Sequence, residues 1–228
     1  MTAEGPKSSR GLLVLLEGLD RAGKTTQCQL LYEKLATELG ADRVRVQKVP
    51  DRSTQIGQAI NAYLVSKTHL PDEAIHLLFS ANRWELRESI LSSLAAGQTV
   101  ILDRYVPSGV AYSLAKGVPG MSLEWCLAPD RGLPQPDVTI FLDVDPDNAK
   151  LQTARADFGR ERYEVSEFQA KVRECFKIIL GDGANPGALR MGKVVTIDAC
   201  QELDVVASRI WDAMKDLDIG DNEVEFIQ

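Results

Sequence analysis

Residues 12–25 read LLVLLEGLDRAGKT, an aliphatic run that opens into a loop bounded by two glycines. The run predicts a buried strand. The loop from Gly18 to Thr25 matches G-x-x-x-x-G-K-[ST], which binds nucleotide phosphates where a strand precedes it and a helix follows. Backbone N–H groups and the helix N-terminus face the phosphates, Lys24 adds a positive charge, and Thr25 offers its hydroxyl to Mg²⁺. This element predicts a protein that binds a nucleoside triphosphate.

The composition limits the classes of protein and of partner. The chain has 228 residues, 44% hydrophobic, which fits one α/β domain over residues 1–228. Its net charge of -7 predicts no nucleic-acid partner, because phosphate backbones favour basic surfaces. No apolar stretch is long enough to suggest a membrane partner. The four cysteines lack C-x-x-C spacing, which predicts reduced thiols in the cytoplasm or nucleus rather than zinc sites or disulfides.

Strand-like and helix-like segments alternate along the chain. We predict strands at 12–16, 44–49, 99–102, 138–144 and 194–197. Helices are expected from residue 25 onward and at 55–65, 71–96, 108–116, 123–127, 145–154, 168–180 and 205–217, and the acidic tail 220–228 is expected to fray. Short aliphatic strands that alternate with helices predict a parallel sheet covered on both faces.

A second candidate site follows the strand at 99–102, which delivers Asp103 at its carboxyl end. A carboxylate at that position suits Mg²⁺ beside the phosphate loop. The next residue is Arg104, where an ATPase of the AAA type would more often have a second carboxylate to activate water. An arginine favours transfer between two phosphates, with a surface salt bridge as the alternative. Of the two histidines, His76 lies among apolar residues and fits a structural role, so no histidine base is expected.

Arginines recur where segments should gather over the carboxyl edge of the sheet. In an acidic protein, this concentration indicates an acceptor that carries its own phosphate. A phosphate monoester is already ionised near neutral pH, since its second pKa is about 6, so no general base is required. Arg162 also fits a structural ion pair with a carboxylate. The arginines concerned are Arg21, Arg52, Arg83, Arg104, Arg155, Arg160 and Arg162.

Four stretches together resemble the thymidylate kinase family, above all its eukaryotic members. They are the phosphate loop with Asp20 and Arg21 inside it, LLFSANRWE at 77–85, DRY at 103–105 with SGVAY at 108–112, and ERYE at 161–164 followed by Phe168-Gln169. In that family the second stretch is the helix that recognises thymine. The resemblance extends from Leu12 to about Met214.

The resemblance implies an α/β, three-layer P-loop kinase fold. A five-stranded parallel sheet would be flanked by helices and completed by a short lid at about 154–166. It implies a nucleoside monophosphate kinase that transfers the γ-phosphate of ATP to dTMP, giving dTDP for dTTP synthesis. Mg²⁺ would be the metal cofactor, ATP the phosphoryl donor and dTMP the acceptor. It also implies a homodimer that packs through helices such as the one after Pro71.

By the same resemblance, Asp20 holds the 3′-hydroxyl, Arg21 reaches the γ-phosphate and Arg104 bridges the two substrates; with Lys24 these are the catalytic residues. Thr25 and Asp103 are the metal residues. The ATP-binding set is Gly18, Arg21, Ala22, Gly23, Lys24, Thr25, Thr26, Arg155, Arg160, Ala199, Cys200 and Gln201. The dTMP-binding set is Asp20, Val49, Pro50, Arg52, Phe79, Arg83, Arg104, Ser108, Gly109, Tyr112 and Tyr163.

Within the dTMP set, Arg52 would bind the acceptor phosphate, Phe79 would stack on the base and Arg83 would donate to a base carbonyl. Tyr112 and Tyr163 would crowd the sugar and exclude a 2′-hydroxyl. Phe79 and Tyr112 also fit core aromatics, and Arg83 also fits a helix cap or an ion pair with a nearby carboxylate, Glu85 or Glu88.

The chain departs from the family at residues 49–52, which read Val-Pro-Asp-Arg where the family commonly has Phe-Pro-Glu-Arg. Val49 would widen the acceptor pocket, and the bond before Pro50 is a candidate cis peptide. Asp51 keeps a deoxynucleoside kinase open as the rival function, with Asp51 as the base that deprotonates a sugar hydroxyl. A regulatory GTPase is disfavoured because the chain lacks an N-K-x-D motif, and a catalytically silent module because Lys24 and its partners are present.

Overall fold

β1 (Leu13–Gly18) is the central strand of a five-stranded sheet in the computed structural model, which describes residues 10–145, 162–181, 188–217 and 223–228. The strand order is β2-β3-β1-β4-β5, and every neighbouring pair is parallel. The predicted parallel sheet is therefore confirmed. The other strands are β2 (Val44–Lys48), β3 (Thr99–Asp103), β4 (Val138–Asp143) and β5 (Lys193–Asp198).

The helices begin and end within a few residues of their predicted bounds. The predicted helix at 145–154 lies, except for its first residue, outside the described residues. None of the described helices is both long enough and apolar enough to cross a lipid bilayer. The described helices are α1 (Lys24–Leu39), α2 (Gln55–Leu64), α3 (Asp72–Ala95), α4 (Val106–Leu114), α5 (Leu123–Leu127), α6 (Ser166–Ile179) and α7 (Leu203–Met214).

The side chains of β1 alternate between two apolar layers, because successive residues of a strand point to opposite faces. Leu13 and Leu15 belong to a core built with α3, α4 and α6. Val14 and Leu16 belong to a second core, built with α1 and α7. All four are fully buried, so β1 is covered on both faces and the loop that follows it starts from a fixed strand end.

The expectation that the tail at 220–228 frays is wrong for residues 223–228. Ile227 is 4% exposed and belongs to the core of α3, α4 and α6. Its backbone N–H donates to the Leu133 carbonyl at 2.9 Å, and its carbonyl accepts from Gly132 at 2.8 Å. The sequence of the tail is acidic, but one buried isoleucine and backbone pairing hold this segment against the loop before β4.

The turn after β2 is fixed by a close backbone approach. The Val49–Pro50 peptide bond is cis, and the Val49 N–H donates to the Asp103 carbonyl at 3.0 Å. Gly57, in the first turn of α2, lies directly against this turn. A Cβ at Gly57 would come within 1.8 Å of the Asp51 carbonyl oxygen, so only glycine fits there.

We expect Gly57→Ala to lower the free energy of unfolding by about 1–3 kcal/mol, because the added methyl must displace backbone rather than a flexible side chain. Denaturant unfolding measures the change. Gln58→Ala, at an exposed position of the same helix, is the matched control and should leave stability nearly unchanged. Equal stability of the two variants would contradict the close approach.

Candidate active site

A cavity of about 280 Å³ opens at the carboxyl edge of the sheet, between the phosphate loop, α3 and α4. Parallel α/β sheets bind ligands at this edge, where strand order reverses direction. The described chain brings together here every residue of the predicted catalytic, dTMP-binding and metal sets. These lining residues are Asp20, Arg21, Lys24, Thr25, Val49, Pro50, Arg52, Phe79, Arg83, Asp103, Arg104, Ser108, Gly109, Tyr112 and Tyr163.

The phosphate loop turns through left-handed backbone at Arg21 (φ 65°) and at Gly23 (φ 85°). A non-glycine residue held in this region costs about 1–3 kcal/mol and is found mainly at functional sites. The ammonium group of Lys24 lies inside the loop and donates to the carbonyls of Gly18 at 3.1 Å and Leu19 at 2.5 Å. Burial, together with the nearby Arg104, lowers the pKa of Lys24 to about 7.

Thr25 and Asp103 meet at the base of the loop. The Thr25 hydroxyl donates to Asp103 Oδ2 at 2.6 Å, although the two residues come from α1 and β3. A hydroxyl and a carboxylate side by side suit Mg²⁺, which is bound through one or two such ligands, waters and substrate phosphates. No group of three or more histidine, cysteine, aspartate or glutamate residues with metal-binding geometry occurs within the described ranges.

Arg104 follows β3 with its backbone in the left-handed region at φ 72°. Its Nη1 donates to the Gly18 carbonyl at 3.0 Å and to Ser108 Oγ at 2.9 Å, while Nη2 donates to Asp20 Oδ1 at 2.5 Å. Burial lowers the pKa of Arg104, but Tyr112 and Asp20 outweigh burial and raise it above the usual value. One guanidinium therefore joins the phosphate loop to α4 and keeps its charge.

Gln169, on α6, belongs to one of the stretches that carry the family resemblance, but it was not predicted as a site residue. Its Nε2 donates to Asp20 Oδ2 at 2.7 Å, and its Oε1 accepts from the Asp20 N–H at 3.0 Å. Burial raises the pKa of Asp20, but Arg104 and Lys24 outweigh burial, so the pKa is lowered and the carboxylate stays ionised. The Asp20 carboxylate, which is expected to hold the 3′-hydroxyl, is therefore held by Arg104 at one oxygen and by Gln169 at the other.

Glu17, the last residue before Gly18, was also missed. It is fully buried, and its Oε1 accepts from the N–H groups of Tyr105 at 2.9 Å and Ser108 at 3.0 Å. Its Oε2 accepts from Ser108 Oγ at 2.6 Å. The carboxylate satisfies N–H groups that the start of α4 would otherwise leave unpaired. A charged residue inside an otherwise aliphatic strand was the available signal.

Arg83 pairs with neither Glu85 nor Glu88. Its Nε and Nη2 donate to the two oxygens of Asp130 at 2.9 Å and 2.6 Å, and the pair is 1% and 0% exposed. Its guanidinium lies against α4, where a Cβ on Gly109 would come within 2.7 Å of Nη1. The bonds to Asp130 use Nε and Nη2, and the guanidinium of Arg83 lines the cavity beside Gly109.

Aromatic rings form the wall beside Asp20. Tyr163 stacks on Phe168 with 5.3 Å between ring centroids, and Tyr112 meets Tyr163 edge-on at 5.6 Å. Tyr112 was expected either to face the sugar or to belong to the core. It lines the cavity and also contacts Phe176 of the core. Burial raises the pKa of Tyr163 to about 12, so its hydroxyl stays protonated.

The lid region is represented by residues 162–166, since its remainder lies outside the described residues. Arg162 has a structural role, as one of the two expectations had it, but its partners are carbonyls rather than a carboxylate. Its Nε donates to the Tyr63 carbonyl at 3.2 Å and its Nη2 to the Thr68 carbonyl at 3.1 Å. Arg21 meets the lid through Glu164, with Nε and Nη2 at 3.2 Å and 3.1 Å from Oε1.

In the turn after β2, the neighbouring residues Asp51 and Arg52 have different surroundings. Arg52 lines the cavity and donates from Nη1 to Asn61 Oδ1 at 2.8 Å. Asp51 does not line this cavity but lines a neighbouring, more open pocket with Pro50 and Arg52, and its Oδ1 accepts from the N–H and the hydroxyl of Ser53 at 2.9 Å and 2.6 Å. These bonds lower the pKa of Asp51, which makes it a weak base.

His76 also lines the cavity but is held on both ring nitrogens. Nδ1 shares a hydrogen bond of 2.7 Å with Ser113 Oγ, and Nε2 shares one of 2.9 Å with the Cys126 carbonyl. Burial and the charge of Arg83 lower the pKa of His76. This geometry agrees with the structural role expected of it.

The predicted adenine site is only partly described, because Arg155 and Arg160 lie outside the described residues. Ala199, Cys200 and Gln201 follow β5 and do not line the cavity. The Cys200 N–H and the Gln201 amide both donate to the Asp198 carboxylate, at 2.9 Å and 2.7 Å, which gives this turn a fixed shape. This turn follows β5 and lies at the same edge of the sheet as the phosphate loop, which follows β1; β4 lies between the two strands.

Comparison with known proteins gives a consistent result. The family profile described as thymidylate kinase matches residues 16–210. Thymidylate kinase of Schizosaccharomyces pombe is 45% identical over 93% of this chain and 96% of its own. The human thymidylate kinase is 45% identical over 76% of this chain and 78% of its own. A solved thymidylate kinase from Candida albicans superposes with a TM-score of 0.81 at 38% identity, over 96% of this chain and 99% of that one.

We expect Glu17→Gln to reduce the free energy of unfolding by about 1–3 kcal/mol. The amide keeps only one acceptor oxygen and turns an NH₂ group towards donors, so at least one buried donor loses its partner. Glu33→Gln, at an exposed position of α1, is the matched control. Superimposable denaturation curves for the two variants would show that Glu17 does not support the start of α4.

Proposed function

The chain belongs to the thymidylate kinase family, whose members phosphorylate dTMP to dTDP with ATP, and from this premise we propose how its residues perform the transfer. The phosphate loop holds the ATP phosphates, and the cavity between α3 and α4 holds dTMP. The acceptor phosphate lies near Arg52 and the γ-phosphate near Arg21 and Lys24. Catalysis then consists of positioning two polyanions and neutralising their charge.

Arg104 is the observation that carries this proposal. Its guanidinium is hydrogen-bonded to Gly18 and Asp20 of the phosphate loop and to Ser108 of α4, within 2.5–3.0 Å. A fixed positive charge between the donor and acceptor regions is what stabilises charge that shifts from one phosphate to another. The left-handed backbone of Arg104 directs the side chain there at a cost in local strain.

No general base is required in this mechanism. The acceptor is a phosphate oxygen that is already ionised near neutral pH. The two groups that could be mistaken for bases are otherwise engaged: Asp51 is bonded to Ser53 outside the cavity wall, and both ring nitrogens of His76 are hydrogen-bonded. The hydrogen bonds from Ser53, which lower the pKa of Asp51, therefore favour a monophosphate acceptor over the rival deoxynucleoside kinase.

Mg²⁺ fits the pair formed by Thr25 and Asp103. Their oxygens lie 2.6 Å apart beside the phosphate loop, and both are hard ligands of the kind this ion prefers. When bound, the ion neutralises charge on the donor phosphates. The protein contributes by holding the Thr25 hydroxyl and the Asp103 carboxylate together at the base of the loop.

The sugar and the base would be held by separate walls of the cavity. Asp20, fixed by Arg104 and Gln169, accepts from the 3′-hydroxyl. Tyr112 and Tyr163 fill the space that a 2′-hydroxyl would need. Phe79 is a partly exposed aromatic in the cavity wall and stacks on thymine, and Arg83 donates to a carbonyl of the ring. Val49, in place of the family phenylalanine, leaves more room beside the nucleotide.

The quaternary structure and domain organisation are part of the same proposal. We infer one domain over residues 1–228, with a lid at about 154–166. The exposed face of α3 carries Leu77 and Trp84, 48% and 39% exposed, which suits packing against α3 of a second copy. A homodimer in the cytoplasm or nucleus fits this surface and the reduced cysteines.

The proposed reaction is tested by offering dTMP and thymidine separately to the purified protein with ATP and Mg²⁺. We expect ADP to form with dTMP and only at background level with thymidine, because Arg52 and Arg104 require a phosphate on the acceptor. Coupled ADP detection measures both rates. Phosphorylation of thymidine alone would instead establish a nucleoside kinase.

Arg104→Ala should lower kcat about a thousandfold, which is roughly 4 kcal/mol of transition-state stabilisation, because the positive charge that bridges the two phosphates would be lost. Steady-state kinetics with dTMP measures the loss, and unchanged circular dichroism excludes unfolding. Arg43→Ala, at an exposed arginine far from the cavity wall, is the matched control. Near-normal turnover of Arg104→Ala would remove Arg104 from the mechanism.

A further inference from the structure

Residues 223–228 form a short antiparallel contact with the loop that precedes β4. Ile227 donates to the Leu133 carbonyl and accepts from the Gly132 N–H, and the Gln135 N–H donates to the Glu225 carbonyl at 2.8 Å. Ile227 is buried in the same core as Leu133, which is 0% exposed. Backbone pairing and apolar burial thus fasten residues 132–135 from one side.

The fastened loop begins immediately after Asp130. The Leu133 N–H donates to the Asp130 carbonyl at 3.1 Å, so the position of Leu133 is coupled to that of Asp130 within one turn. From α3, Arg87 Nε donates to the Gly132 carbonyl at 3.2 Å. Residues 130–133 are therefore held between α3 and residues 223–228.

Asp130 in turn orients Arg83. Both carboxylate oxygens accept from the Arg83 guanidinium, and Ser80 Oγ donates to Oδ1 at 2.7 Å. A bidentate arginine–carboxylate pair fixes the plane of the guanidinium as well as its distance. Because the pair is almost fully buried and Gly109 leaves no spare room beside it, a small shift of Asp130 must move Arg83.

We propose that residues 223–228 are a positioning element for pyrimidine recognition, acting through Leu133 and Asp130 on Arg83. This inference rests on the proposed function, in which Arg83 donates to the base. A guanidinium is a donor only, so it distinguishes the C4 carbonyl of thymine from the C4 amino group of cytosine. Ile227 itself lines no part of the cavity and contributes by holding the loop that carries Asp130.

The test compares the binding of two ligands that differ at the C4 edge, dTMP and 5-methyl-dCMP, to full-length wild-type protein and to Ile227→Ala. In the wild type, dTMP should bind more tightly. In Ile227→Ala we expect the ratio of the two dissociation constants to fall about tenfold, the loss of one hydrogen bond to a charged group. Ile227→Val should lie between the two, and it replaces Ile227→Ala if that variant does not fold.

Ile210→Ala is the matched control, because Ile210 is 1% exposed in the core on the other face of the sheet. It makes the same substitution in an equally buried position, without a connection to Asp130. We expect it to lower the melting temperature comparably and to keep the wild-type ratio. The KM for ATP should stay unchanged in both variants.

The outcomes separate this inference from the proposed function. A ratio that falls in the Ile227 variants but not in Ile210→Ala supports it. An unchanged ratio in the Ile227 variants, an equal fall in Ile210→Ala, or no preference for dTMP in the wild type overturns it. Failure of the wild type to phosphorylate dTMP would overturn the proposed function itself, and that activity is measured independently of the ratio.

Discussion

The ion pair between Arg104 and Asp20 is the interaction on which the organisation of the site depends. It joins the residue after β3 to the phosphate loop after β1, and Gln169 of α6 holds the other oxygen of Asp20. Partly buried pairs of this kind gain little stability against the cost of desolvation, so their value lies in fixing geometry. In the proposed mechanism this geometry sets the distance between the donor and acceptor phosphates, which a phosphoryl transfer requires to be short and constant.

The sheet provides the frame that this pair needs. β1 and β3 are adjacent and in register over Leu13 to Leu16, so the phosphate loop and Arg104 leave the same edge side by side. The buried carboxylate of Glu17 ties the end of β1 to the start of α4. A slip in either strand would therefore shift the phosphate loop relative to Arg104, and the full burial of Leu13 to Leu16 on both faces of the sheet opposes such a slip.

The sequence predicted those parts of the molecule that have local signals. Alternation of aliphatic runs with helical patterns predicted the parallel sheet, and the spacing of glycines and Lys24 predicted the phosphate loop. Leu31 and Leu35, one helical turn apart, are buried, whereas Leu39, the last residue of α1, is 53% exposed. The contacts of Gln169, Asp130 and Ile227 could not be predicted: Gln169 lies 149 residues from Asp20, and Asp130 lies 47 from Arg83. Only the tertiary fold determines such pairs.

The charged groups of the site are paired with one another as well as directed at the cavity. Lys24 is bonded to the carbonyls of its own loop, Arg104 to Asp20, and Thr25 to Asp103. Pairing offsets the cost of burying these groups, since an isolated buried charge would be far less stable. In the proposed mechanism, incoming phosphates meet side chains that these partners already orient. A preorganised site of this kind stabilises a transition state without reorganisation of the protein during the reaction.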